Sequence, residues 1–165
     1  NARVTAVDLS SEMLARLKAR LERAWYGPRV EIAQGSYLTM PFRAGGFDCV
    51  VSVQTMHHFT PDVKLGLYTR IAHALKAGGM YIEGDYVVPP DEERSLLARY
   101  AETVKSLRAN GTIGEGELVD GKYHIDIPLS VQSQVAILRQ AGFADVEVVF
   151  EQGAAAVFRA VKPFI

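Results

Sequence analysis

A chain of 165 residues, 48% hydrophobic and 22% charged, has the make-up of one ordinary soluble α/β domain, long enough to bury its core without disulfide or metal staples. Its net charge of −1, with both signs intermixed along the chain, excludes the basic footprint of a nucleic-acid binder and any polybasic tail. No run approaches the roughly 20 apolar residues of a membrane span, no signal peptide is visible at the start, and the single Cys49, in an apolar run where burial is expected, cannot pair internally, which favours a reducing, cytoplasmic setting.

Arg3 to Val7 is a β-branched run ending at Asp8, and it reads as a buried parallel strand. Ser10 and Ser11 follow as N-cap choices. Met13, Leu14, Leu17, Leu21 and Ala24 then recur at helical spacing, opposite Arg16, Lys18, Arg20 and Arg23. Gly27-Pro28 closes that helix, and a second strand, Val30 to Ala33, ends at Gly35-Ser36-Tyr37. Phe47 to Val53 is the most apolar strand of the chain.

Thr60-Pro61 predicts a helix start, the hydroxyl capping and the proline in the first helical position, with Gly78-Gly79 closing the helix. Met80 to Val88 is the next strand, and Asp91 opens a helix with Leu96, Leu97, Tyr100, Val104 and Leu107 inward. Asn110 to Pro128 has four glycines and little periodicity, a length usually reserved for function or motion. Ser130 caps a last helix ended by Gly142, and two strands around Gln152-Gly153 form an antiparallel hairpin. The alternation predicts a mostly parallel sheet with helices on both faces, in one domain over residues 1–165, residues 91–128 covering the substrate.

Ligands of such sheets bind beyond the carboxyl ends of the strands, which singles out Asp8, the Gly35-Ser36-Tyr37 corner, Gln54 to His58, and Asp85-Tyr86. A carboxylate at Asp8 can accept both hydroxyls of a ribose; it can equally cap the helix that follows. An unperturbed imidazole can take up a proton near neutral pH, so His57, His58 and His124 are base candidates, although at least one of the His-His pair suits a structural role. His73 reads as helix surface. Four scattered histidines and one cysteine show no metal-ligand spacing, so no metal is expected. Neither a nucleophile elbow nor a phosphate-binding Gly-Lys-Ser/Thr motif is present.

Four blocks carry a resemblance: Val4 to Leu14; Phe47 to Ser52 with Met56-His57-His58-Phe59; Leu75-Lys76-Ala77-Gly78-Gly79; and Gln140-Ala141-Gly142-Phe143. In this order and spacing the chain resembles a class I S-adenosylmethionine-dependent methyltransferase from Arg3 to Lys162, with a Rossmann-like sheet ending in an antiparallel hairpin. The resemblance implies S-adenosyl-L-methionine as cofactor and a small organic methyl acceptor, with no nucleic-acid or membrane partner, a homodimer staying open. Asp8 then holds the ribose hydroxyls. Leu9 and Met13 flank the adenine, with plain helix packing as an equal role for Met13. Ser36, with Tyr37 beside it, stands where the family commonly has an aspartate, and Gln54 lies near the methionine part.

On the acceptor side the resemblance leaves His57, His58, Asp85 with Tyr86, and Tyr123-His124. The family's first strand and glycine-rich loop are expected ahead of Asn1, in a natural protein longer by roughly 30 to 60 residues, the strand lying between those ending at Asp8 and Gln54. Two other readings stay open: a non-catalytic or cofactor-modifying relative acting as a binding or dimerisation module, and a nicotinamide dehydrogenase, against which the terminal hairpin argues.

Overall fold

The computed structural model describes residues 2–24, 27–113 and 125–164, which divide into two compact units, residues 1–42 and 43–165. In the first unit, β1 (Val4–Asp8) and β2 (Val30–Gln34) pair in parallel, from Val4 opposite Val30 to Asp8 opposite Gln34. Their connection is α1 (Ser11–Arg23), started by the Ser10 hydroxyl, which accepts the Met13 amide at 3.2 Å. The buried face of α1 is narrow: Leu14 is its one buried residue among those described. β1, expected to be buried, has its first residues exposed, because β2 is its sole hydrogen-bonded neighbour among the described residues.

The second unit is a four-stranded sheet ordered β3 (Phe47–Val53), β4 (Leu75–Tyr86), β6 (Ala155–Val161), β5 (Asp145–Gln152). β3 and β4 are parallel, while β6 runs antiparallel to both β4 and β5. The helices are α2 (Pro61–Ala74), α3 (Pro90–Ala109) and α4 (Val131–Gln140). The core is packed by Leu67, Tyr68, Leu75, Tyr81, Leu138, Phe143 and Phe158, each at most 3% exposed. α4 is capped twice at its start: the Ser130 hydroxyl accepts the Ser133 amide, and Glu93 of α3 accepts the Ser130 amide at 2.8 Å.

Three local expectations are corrected. Gly78-Gly79 does not close α2. The helix stops at Ala74, and β4 starts at Leu75 and runs through both glycines, with an irregular register opposite Phe47 and Cys49. Gly78 has φ of +71°, and a Cβ on Gly79 would meet the Lys76 and Asp48 carbonyl oxygens at 2.9 and 3.1 Å, so the bend needs glycine. Thr60 takes the N-cap position, but its hydroxyl caps nothing. Cys49 is exposed, not buried, and Val51 and Val53 on the same face of β3 are 61% and 65% exposed; β3 is the last strand of its sheet among the described residues.

Candidate functional site

At the carboxyl ends of β1 and β2, Asp8 is half-buried and its Oδ1 accepts the Ser10 amide at 2.8 Å. The carboxylate thus supports the turn into α1, with acceptor positions beyond this one bond. The Gly35 amide donates to the Asp8 carbonyl at 3.0 Å, and the Gln34 side chain donates to the Leu9 carbonyl at 3.3 Å, which fixes the Ser36 corner beside the acid. Ser36 Oγ accepts the Leu38 amide at 3.3 Å; Tyr37 is half-buried. Leu9 and Met13 are 63% and 52% exposed. The carboxylate is thus neighboured by uncovered apolar side chains.

At the carboxyl ends of β3 and β4, a second group forms. Gln54 turns the chain with φ of +50°, a left-handed conformation uncommon for a residue with a side chain. Its amide donates to the Gly84 carbonyl at 2.8 Å, and its Nε2 to the Tyr86 hydroxyl at 3.0 Å. A short 3-10 turn, Met56–His58, follows and hangs on Asp85. Asp85 Oδ2 accepts the Met56 and His57 amides at 2.7 and 3.0 Å, and Oδ1 accepts the Tyr86 amide at 2.8 Å.

Asp85 Oδ1 also lies 2.6 Å from His57 Nδ1. A carboxylate only accepts, so Nδ1 carries the proton and Nε2 is the outward nitrogen. Burial pushes the Asp85 carboxyl upward, but the bonds from His57 and Tyr86 and the fields of His57 and Lys64 outweigh it and hold it below its ordinary value. Asp85, expected beside the acceptor, is 5% exposed and spends both oxygens on N–H donors, so it orients His57 instead.

His57 Nε2 lies 3.8 Å from Asp126 Oδ1, and His58 Nδ1 lies 3.1 Å from the same oxygen. The two imidazole rings are 4.1 Å apart, and Tyr86 meets the edge of His57 at 5.0 Å. Asp126 was not singled out from sequence, because nothing local links it to a His pair 68 positions earlier; its neighbour Ile127 donates its amide to the His57 carbonyl at 2.7 Å and so brings it there. The His57, His58 and Asp126 grouping also modifies the reading that no metal-ligand set exists. Tyr123 and His124 lie outside the described residues.

A buried polar network beneath β4 also escaped the sequence. Glu83 accepts the Tyr68 and Tyr81 hydroxyls at 2.7 and 2.9 Å and the Gln134 amide at 2.7 Å, while Lys64 donates to Gln134 at 3.0 Å. Burial raises Glu83 and lowers Lys64, each partly offset by the other's charge.

A parallel β–α–β unit with an acid at its first strand tip, and a hairpin-terminated sheet, are the parts of a Rossmann-like α/β fold. Comparison with known proteins narrows this. Residues 1–79 match the family described as "Methyltransferase domain". The carboxy-S-adenosyl-L-methionine synthase of Wolinella succinogenes is 28% identical over 98% of this chain and 66% of its own length. Erythromycin 3''-O-methyltransferase of Saccharopolyspora erythraea is 29% identical over 89% of this chain and 44% of its own length. The chain thus spans between about two fifths and two thirds of these relatives. In fold it is similar to the solved structure "PigF with SAH", with a TM-score of 0.65, 18% identity, and coverage of 96% of this chain and 43% of that one. Residues 1–79 thus match a methyltransferase-domain family, and the chain as a whole is similar in sequence and fold to S-adenosylmethionine-dependent enzymes.

Proposed function

We propose that the protein transfers a methyl group from S-adenosylmethionine to a small organic acceptor by direct in-line displacement. The observation that carries this reading is Asp8: a half-buried carboxylate at the tip of β1, inside the segment that matches the family, with exposed Leu9 and Met13 beside it. Asp8 accepts the ribose hydroxyls, Leu9 and Met13 cover the faces of the adenine, and Ser36 with Tyr37 reads its edge. The cofactor, when bound, supplies a methyl group already activated on a sulfonium. What remains for this chain is to align the acceptor and exclude water.

Where the acceptor is a hydroxyl, His57, which Asp85 holds through Nδ1, and His58 are the base candidates. Relatives named for a sugar O-methylation and for a carboxy-S-adenosylmethionine synthesis differ in chemistry, so the acceptor must come from direct assay of small molecules.

Calorimetry with S-adenosylmethionine and S-adenosylhomocysteine tests the reading. Binding of both is expected, and Asp8→Ala weakens each about 10- to 100-fold by removing charge-assisted bonds worth roughly 1.5–3 kcal/mol. No heat with either ligand would leave only a scaffold of this fold.

A further inference from the structure

We infer that His57 Nε2, His58 Nδ1 and the Asp126 carboxylate form a binding site for a divalent transition cation of the zinc or nickel kind. The three ligand atoms all lie within 4.8 Å of one another. The separations of His57 Nε2 and His58 Nδ1 from Asp126 Oδ1 are compatible with shared ligation of one cation. Around a tetrahedral zinc with bonds of about 2.0–2.1 Å, ligand atoms sit roughly 3.4 Å apart. The measured separations from Asp126 Oδ1, 3.1 Å to His58 and 3.8 Å to His57, bracket that value. The longer one exceeds any hydrogen bond, so Asp126 does not serve His57 as a direct acceptor.

The surroundings supply what a ligating histidine requires. His57 donates Nδ1–H to Asp85 at 2.6 Å, which leaves Nε2 as the ligating nitrogen and fixes the ring plane. A carboxylate behind a histidine is the common second partner of metal-bound imidazole, and it raises the basicity of the ring. Asp85 is itself held by the Met56, His57 and Tyr86 amides. Two imidazoles and one carboxylate favour zinc, nickel or copper over magnesium or calcium, which prefer sets of oxygen ligands. Three protein ligands leave a coordination position open to water or to an oxygen of a small molecule. Asp126 is mostly exposed and His57 buried, so a cation enters from the Asp126 side.

This goes beyond the methyl-transfer reading and does not rest on it. The two make opposite use of one atom: a cation on Nε2 excludes proton acceptance there. Titration of tag-free, chelator-treated protein with Zn2+ and, separately, Ni2+ is the test, with Mg2+ as the control metal. One equivalent is expected to bind, unaffected by excess Mg2+. Asp126→Asn and His58→Ala each weaken binding at least tenfold, and Asp85→Asn weakens it about 10- to 100-fold. Asp126 is exposed, so its variant keeps the fold; unchanged thermal unfolding verifies that. Absence of a stoichiometric event, or wild-type binding by both Asp126→Asn and His58→Ala, overturns the site. Cofactor calorimetry on the same samples reads the methyl-transfer proposal separately.

Discussion

Asp85 shows how one side chain can organise a segment. Its two oxygens gather the amides of Met56, His57 and Tyr86 and one imidazole nitrogen, so a turn without strand or long helix is held in place. Replacing it with asparagine swaps one acceptor oxygen for an NH2 that faces donors. We expect Asp85→Asn to destabilise the fold by about 2–4 kcal/mol in urea denaturation. Its pH dependence has a definite sign. The folded carboxyl lies below its ordinary value, so its contribution is fully present above the unfolded pKa of about 4 and is lost as the pH falls through the folded one. The variant therefore shows a shallower loss of stability on acidification.

Asp8, at the end of β1, and His57 and His58, beyond the end of β3, were readable as positions because the hydrophobic pattern of those strands marks where they end. Asp85 was readable as a position and not as a role. A strand-end acid looks the same whether it faces solvent or a ring of amides.

Among the elements, helix starts were better announced than stops. Ser10 and Ser130 cap as expected, since a hydroxyl before an apolar-periodic run has one local use. Gly78-Gly79 was misread because glycine serves both a helix end and a bent strand, and only the partner across the ladder decides between them. Here the partners are specific: the Gly78 amide donates to the Lys162 carbonyl at 3.1 Å, the Lys162 amide to the Gly79 carbonyl at 2.9 Å, and the Lys162 ammonium to the Leu75 carbonyl at 2.6 Å. Gly79→Ala is expected to cost on the order of 1–3 kcal/mol, since the blocking atoms are backbone oxygens. At Gly78 the nearest obstacle is the exposed Phe164 ring, so the backbone term dominates and Gly78→Ala costs about 1–2 kcal/mol. Thermal unfolding of the pair checks this order.

On the scale of the whole molecule, the succession of strands and helices was legible, because period and punctuation change together along the chain. What covers each element was not. Cys49, Val51 and Val53 lie in an apolar run, yet one face of β3 is open and the strand is paired on one side among the described residues, and a run alone says neither what covers a strand nor how many neighbours it has.

The Lys64–Gln134–Glu83 network was hidden for a related reason. Its members come from α2, α4 and β4, and Lys64 and Gln134 are 70 positions apart. The network joins three elements through charge as well as packing, so its loss should be felt globally. Lys64→Met removes the ammonium that offsets Glu83 and is expected to cost about 3–5 kcal/mol. Adding Glu83→Gln recovers part of that loss, with a coupling of about 1–3 kcal/mol in a double-mutant cycle read by urea denaturation.

The place of β6 has a consequence for synthesis on the ribosome. It lies inside its sheet, between β4 and β5, and delivers Ala156, Phe158 and Ala160 to the core at 1% exposure or less. Translation must therefore pass Val161 before this unit can close, and until then the growing polypeptide carries β4 and β5 with their facing ladders unmet. Such unmet ladders are what chaperones shield and what stray neighbours capture.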